Sequence, residues 1–521
     1  MEKNTNEHIA PDMFEFAQKD ALLHDEKFKT KARGYFADAL LRFKKNKSSV
    51  VAAWIIGFLI LFAIFAPIIS NYSVNDKDVV YTNYPPYIPS IAKKNIGMFD
   101  GSYTLSSQSE MQLASLRAIG EETGMDPVIK ILETFETHSK YRGQDRVSYS
   151  YRVKVNSYFM EGIRTFVLSY EEYERIQQFQ NETGIQVLYP MVEKTDIYVK
   201  AKEGADLSGA ADNPNIWYQC EDLKGNALLD ADGNRIPAYS TNQAKTYGEY
   251  HSQRIPSDPG NYIYNFAKSG SVQVRICYYN YYTYKNGHEP SYIMGTDTMG
   301  RDLFCSIGMG ARFSLVFAVI VSAINLTIGA IYGAIQGYYG GAIDMVLDRI
   351  ADVLSGVPFI VVTTLFQLHL AQKVGTVPSF LFAFVLTGWI GMAALTRKQF
   401  YRFKGQEYVL AAKTLGASDK RLMFKHIFPN SLGTIITSCV LVIPGVISSE
   451  TSLVYLGIVN LSDFAGTSIG ELMSQGQAAM TTSPHAMLFP SLFVSLLLIS
   501  FNLFGNGLRD AFNPSTRGTE G

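Results

Sequence analysis

The run VVAAWIIGFLILFAIFAPII occupies residues 50–69 and contains no charged side chain. An α-helix rises about 1.5 Å per residue, so a run of this length crosses a hydrocarbon core of about 30 Å. It begins too far from the N-terminus for a cleaved secretory leader. It also exceeds such a leader's apolar core and ends at Pro67-Ile68-Ile69-Ser70 without the small-residue cleavage pattern. The run is therefore read as a retained membrane helix. Further apolar runs follow at 313–337, 353–370, 377–395, 432–456 and 487–504, the second of these short and containing His369. The expectation is a polytopic α-helical membrane protein with six transmembrane helices.

The mean hydropathy of the 521-residue chain, +0.03, conceals this segregation. Polar residues fill 1–48 and about 71–300. Basic residues flanking spans set orientation. Lys27, Lys29, Lys31, Arg33, Arg42, Lys44, Lys45 and Lys47 precede the first run, which places the N-terminus in the cytoplasm. Between the fourth and fifth runs lie Arg397, Lys398, Arg402, Lys404, Lys413, Lys420, Arg421 and Lys425, whereas 457–486 has no Lys or Arg. Both termini inside satisfies all of these. The divisions read as a cytoplasmic segment 1–48, a first helix 49–70, an extracytoplasmic insert 71–292, a membrane core 293–506 and a cytoplasmic tail 507–521. A net charge of −1 gives no reason to expect a nucleic-acid partner.

The insert is too long for a structureless loop in a compact protein. Residues 109–136 and 170–183 have helical spacing, whereas 146–158 and 271–284 alternate and are rich in Val and Tyr, as strands do. Turns are expected at 222–226 and 230–234. The second resembles a calcium loop only superficially, because its Gly233 comes too early and no Glu follows at the needed distance. These features predict an α+β domain. Cys220 and Cys277 fall within it and are either a disulfide pair or two thiols. The tyrosines Tyr278, Tyr279, Tyr281, Tyr282 and Tyr284 read as a strand packed near the membrane interface, or as a partner-binding surface.

The cytoplasmic segment at about 397–431 contains EYVLAAKTLGASDKRLMFKHIFPN, residues 407–430. Its first part predicts a short amphipathic helix stopped at Gly416. Ser418 or Asp419 begins a second short helix, which Pro429 ends. Two short helices held against the membrane face form a knob that fits a cleft on a cytoplasmic partner.

This segment resembles the coupling loop of ABC importer permeases, E-A-A, three residues, Gly, nine residues, I-x-L-P. Ala411, Ala412, Gly416 and Pro429 match, while Leu410, His426 and Phe428 replace the usual Glu, Ile and Leu. Before the second run, Gly295-Thr296-Asp297, Gly300-Arg301-Asp302, Arg312 and Ser314 resemble the signature of the C-type permease of dipeptide and oligopeptide importers. Residues 450–457 and 502–514 resemble the same subfamily. The resemblance implies the type I importer permease fold. It implies ATPase coupling through Glu407, Ala411, Ala412, Gly416, Ile427 and Pro429, and a bacterial cell-membrane location. It also implies a homologous second permease, two ABC ATPases that carry ATP and Mg, and a peptide-binding protein outside. No cofactor, metal or catalytic residue is expected on this chain, which has no phosphate-binding G-x-x-x-x-G-K-[ST] loop. Glu450, an acid in the outward part of the fifth run, is either a pathway residue meeting a peptide's amino terminus or a partner for a neighbouring helix. A ligand-sensing receptor is the rival reading. It lacks a cytoplasmic signalling domain, since the largest inner loop is short.

Overall fold

The structure is a computed structural model that describes residues 35–94, 97–141, 144–189, 192–193, 217–219, 237–239, 262–268, 270–461 and 467–512. Among the described residues, five helices are long and apolar enough to cross a membrane: α2 (Lys47–Ile69), α6 (Leu303–Tyr339), α9 (Thr376–Lys404), α11 (Asp419–Tyr455) and α13 (His485–Phe512). A short helix α1 (Tyr35–Lys45) precedes α2, and Asn46 between them caps α2 by accepting the Ser49 N–H.

The third run departs from the expected single helix. It is split into α7 (Gly341–Ser355) and α8 (Phe359–Val374), bent by 72°. Gly356-Val357-Pro358 lies at the break, and a residue before proline is pushed out of helical geometry. Counting the bent pair as one span gives six crossings by length and composition.

Two helix ends also differ from the apolar runs. Helix α6 starts at Leu303, well before residue 313, because Asp302 caps it by accepting the N–H groups of Phe304 and Cys305. Pro429 does not end a helix. The turn Leu422–Ile427 widens to π geometry, and α11 continues through the proline to Tyr455. A wide turn relieves the clash between the ring and the preceding carbonyls, so the missing N–H is tolerated.

The membrane helices pack around a core that includes Leu303, Ile307, Phe317, Phe380, Ile447 and Leu497. Helices α6 and α9 approach most closely along Gly329, Gly333 and Gly337. A Cβ on Gly333 would lie 2.2 Å from the Ala393 carbonyl oxygen, and one on Gly337 would lie 2.5 Å from Phe400 Cβ. Small residues at this spacing let backbones meet without side chains between them.

Residues 102–286 contain a repeated unit that the sequence reading missed. The first copy runs β1 (Ser102–Ser109), α3 (Glu110–Thr123), β2 (Val128–Tyr141) and β3 (Gln144–Asn156). The second runs β4 (Ile163–Ser169), α4 (Tyr170–Thr183), β5 (Leu188–Tyr189), β6 (Asn265–Lys268) and β7 (Ser271–Cys277). In both, the last strand is central. β3 pairs antiparallel with β1 and β2, and β7 pairs antiparallel with β4 on one edge and with β5 and β6 on the other. Ser109 and Ser169 cap their helices, and both helices end in Glu-Thr-Gly (122–124 and 182–184). Each Thr hydroxyl donates to the carbonyl four residues back at 2.7 Å and accepts the N–H two residues on at 3.2 Å. The copies are joined by a buried ion pair, Arg275 to Glu122 at 2.9 Å.

Two expectations for this region are corrected. Residues 128–136, expected to be helical, form β2, because Gly124 stops α3 and the following Val, Ile and Thr suit a strand. Residues 278–284, expected as a strand, belong to helix α5 (Tyr278–Asn286). Tyrosines at 278, 279, 281 and 282 also fit a helix period, and their rings enter an aromatic core with Tyr81, Tyr87, Tyr158 and Tyr292. The expected turns at 222–226 and 230–234 lie outside the described residues.

Candidate functional site

The signature before α6 folds into a buried knot that ties three parts of the chain together. Thr296, Asp297, Arg301 and Asp302 are all buried. Asp297 accepts the N–H groups of Met299 and Arg301 at 2.9 Å and pairs with the Arg301 guanidinium at 2.7 Å. Buried charges persist only when paired and hydrogen-bonded in this way. The segment leaving α2 is stitched to the knot. Asp78 N–H donates to Gly300, Asn83 N–H to Asp297 and Tyr84 N–H to the Thr296 hydroxyl, while Ser70 Oγ donates to Asp302 at 2.7 Å. The third part is helix α12 (Ile469–Ala478), whose Gln475 accepts from Thr298 Oγ1 at 3.2 Å and from Arg301 at 3.3 Å. Gly295 and Gly300 have φ of +81° and +72°.

Arg312 and Ser314 act between helices. Pro67 has no N–H, which leaves the Ala63 carbonyl of α2 without its helical donor. Arg312 Nε donates to that oxygen at 2.6 Å, and its Nη2 donates to the Ile64 carbonyl. Ser314 Oγ donates to Glu450 Oε2 at 2.8 Å, and Thr451 Oγ1 donates to the same oxygen at 3.3 Å. Glu450 is buried, and its contacts join α11 to α6. The sequence signal for these contacts was present as Pro67 and as the spaced Arg and Ser. Their pairing across the chain was not legible.

At the opposite end of the helices, α10 (Glu407–Thr414) and the start of α11 form a knob. Val409, Leu422, Met423 and Ile427 are its core, with Ala412 packed on it. Gly416, at φ +83°, follows the helix, and Ser418 precedes Asp419 at the start of α11. Glu407, Ala411 and Pro429 are exposed. Apolar side chains also face outward: Leu415 is 89% exposed, Phe424 55% and Leu410 50%. The knob is braced by Tyr338, whose hydroxyl donates to Asp419 at 2.6 Å. Nearby, Arg397 bridges Asp344 and Asp348, each at 2.7 Å.

Cys277 is a free, buried thiol whose pKa burial pushes up to about 12, and Cys220 lies outside the described residues. A neutral, enclosed thiol is a poor nucleophile. Iodoacetamide treatment of the folded chain, read by peptide mass spectrometry, is expected to leave Cys277 unmodified until denaturant is added. Modification in the folded state at the rate of an exposed thiol would show the burial to be wrong. Among the described residues no group of three or more His, Cys, Asp or Glu could hold a metal ion.

Residues 309–518 match the family described as binding-protein-dependent transport system inner membrane component. Residues 34–86 match the N-terminal TM domain of oligopeptide transport permease C. Among curated relatives, the oligopeptide transport system permease protein OppC of Bacillus subtilis is 39% identical over 223 residues, covering 43% of this chain and 72% of that protein. The dipeptide transport system permease protein DppC of the same organism is 39% identical over 224 residues, covering 43% and 68%. OppC of Escherichia coli K12 is 35% identical over 232 residues, covering 44% and 74%. A solved inward-facing MetNI methionine ABC transporter is 13% identical and covers 39% of this chain and 96% of that chain. Its TM-score is 0.32.

Proposed function

The chain belongs to the binding-protein-dependent transport system inner membrane components, as a C-type permease of oligopeptide and dipeptide ABC importers, and on that premise we propose how its parts serve transport. The relatives are transport permeases, so the receptor reading is not favoured. The five long helices and the bent pair form one half of a peptide pathway. The other half comes from a homologous second permease. Two ATPases carry the ATP and Mg, and a binding protein delivers peptide.

The orientation that fits the basic flanks puts 1–48, the 397–431 segment and 507–521 in the cytoplasm, with 71–292 outside the bacterial cell membrane. The core at 293–506 then presents the knot outward and the knob inward. The observation that carries the coupling role is the knob's exposed apolar surface. Leu415 and Leu410 stand clear of a packed base on a face otherwise rich in Lys and Arg. Large apolar side chains exposed together mark a partner surface, and Glu407, Ala411 and Gly416 shape the same feature. Ala412 and Ile427 anchor it from beneath, and Pro429 sets where α11 leaves it.

The signature residues Gly295, Thr296, Asp297, Gly300, Arg301 and Asp302 hold the outer ends of α2, α6 and α12 in register. Arg312, Ser314 and Glu450 fix α2 and α11 to α6. In this reading Glu450 positions a helix.

Purification of the tagged full-length chain from its own membranes tests the assembly. Two ATPases and a second permease are expected to co-purify in fixed proportion, and the reconstituted complex is expected to import short peptides at the cost of ATP. A chain that purifies alone under conditions that keep other membrane complexes intact would overturn this.

A further inference from the structure

A cavity of about 450 Å³ lies between the exit of α2, helix α5 and the knot at the start of α6. Its volume is in the range of small-ligand sites. One wall is aromatic, with Tyr72, Tyr278, Tyr282 and Tyr292 buried behind it. Three carboxylates, Asp76, Asp78 and Asp302, share the lining. Asp78 is fixed by donors alone: the N–H groups of Val80 and Tyr81, at 2.8 and 2.9 Å, and the Tyr278 hydroxyl at 2.8 Å. Asp302 is buried and fixed by Ser70 Oγ and the N–H of Cys305. Lys77 and Lys285 also line the cavity and are exposed. Among the described residues, neither forms an ion pair with these carboxylates.

Fixed carboxylates beside aromatic faces favour an organic ammonium group, since both attract a cation and the rings also cover its apolar body. Free ammonium side chains on the same lining favour a carboxylate. Both features on one lining suit a molecule with an ammonium and a carboxylate at opposite ends. We propose that this cavity is a subsite for a short zwitterionic peptide, its amino terminus against Asp78 and Asp302 and its carboxylate toward Lys77 and Lys285. The proposal rests on the peptide-importer reading and on the orientation that puts this face outside. The walls come from α2's exit, the repeat region and the cap of α6 together. A peptide held there touches the repeat region and the segments that leave α2 and enter α6.

Trialanine, N-acetyl-trialanine and trialanine amide are titrated by calorimetry into the complete importer in detergent, without its binding protein. Trialanine is expected to bind, and blocking either end to weaken binding by about tenfold or more. Val79→Trp places an indole in the mouth from a side chain that is 87% exposed and outside the packed core, and it is expected to abolish binding with the thermal transition unchanged. Asp78→Asn is expected to weaken binding by about tenfold. Absence of trialanine binding, equal binding of the blocked and free peptides, or undiminished binding by Val79→Trp overturns the subsite. Uptake by the importer with its binding protein is measured in parallel. Uptake without binding at this cavity defeats the subsite alone, and no uptake of any short peptide defeats the importer reading.

Discussion

Gly416→Pro combined with Ala412→Arg is expected to lower peptide uptake about a hundredfold while the chain stays in the membrane, equivalent to about 2.7 kcal/mol on the barrier to transport. Gly416 has φ +83° and donates its N–H to the Lys413 carbonyl at 3.0 Å. Proline fixes φ near −65° and has no N–H, so it satisfies neither requirement. Ala412 packs against the knob's core, and an arginine there must drive its charged head outward and displace that packing. Both changes lie outside the apolar parts of the spanning helices, so insertion is spared.

A second variant separates misfolding from lost contact. Leu415 is almost fully exposed, and exposed substitutions usually change stability by less than about 0.5 kcal/mol. Leu415→Asp is therefore expected to leave the fold intact and to weaken ATPase association, measured by co-purification and by peptide-stimulated ATP hydrolysis. Normal uptake by both variants would remove the coupling role from this knob.

Gly300→Ala carries the largest expected cost to folding. A Cβ there would lie 1.8 Å from the Asp78 carbonyl oxygen, and the residue sits at φ +72°. Left-handed backbone costs a non-glycine residue about 1–2 kcal/mol, and overpacking adds about 1–3 kcal/mol. Relief of the overlap requires moving residue 78, whose N–H bonds Gly300 and whose carboxylate orders Val80, Tyr81 and Tyr278. The knot and the exit of α2 should loosen together. A lower thermal transition in detergent and faster proteolysis within 71–84 are the expected readouts. Met299→Ala, at a neighbouring exposed side chain, should change neither. A Gly300→Ala chain that melts and resists protease like its parent would refute this account of the turn.

The membrane helices were legible because crossing a bilayer demands a property of contiguous residues. The run at 50–69 became α2 with three extra residues at its start, Asn46 supplying the cap just before Lys47. The run at 353–370 misled because hydropathy is blind to the Gly356-Val357-Pro358 break, where backbone geometry overrides composition. Pro429 misled in the opposite direction, since a wide turn before it allows the helix to continue. The repeat within 102–286 left one clear trace, Glu-Thr-Gly at 122–124 and 182–184. The rest of the likeness is strand order, which periodicity does not carry.

By itself the sequence determined how many apolar segments there are, where basic residues flank them and which short motifs they carry. These are properties of neighbours along the chain. The tertiary structure alone decided that Arg312 answers the carbonyl freed by Pro67, that Ser314 meets Glu450 and that Asp78 reaches Gly300. Each joins residues more than a hundred positions apart. A hydrogen bond depends on distance and angle to its partner, and only folding sets those.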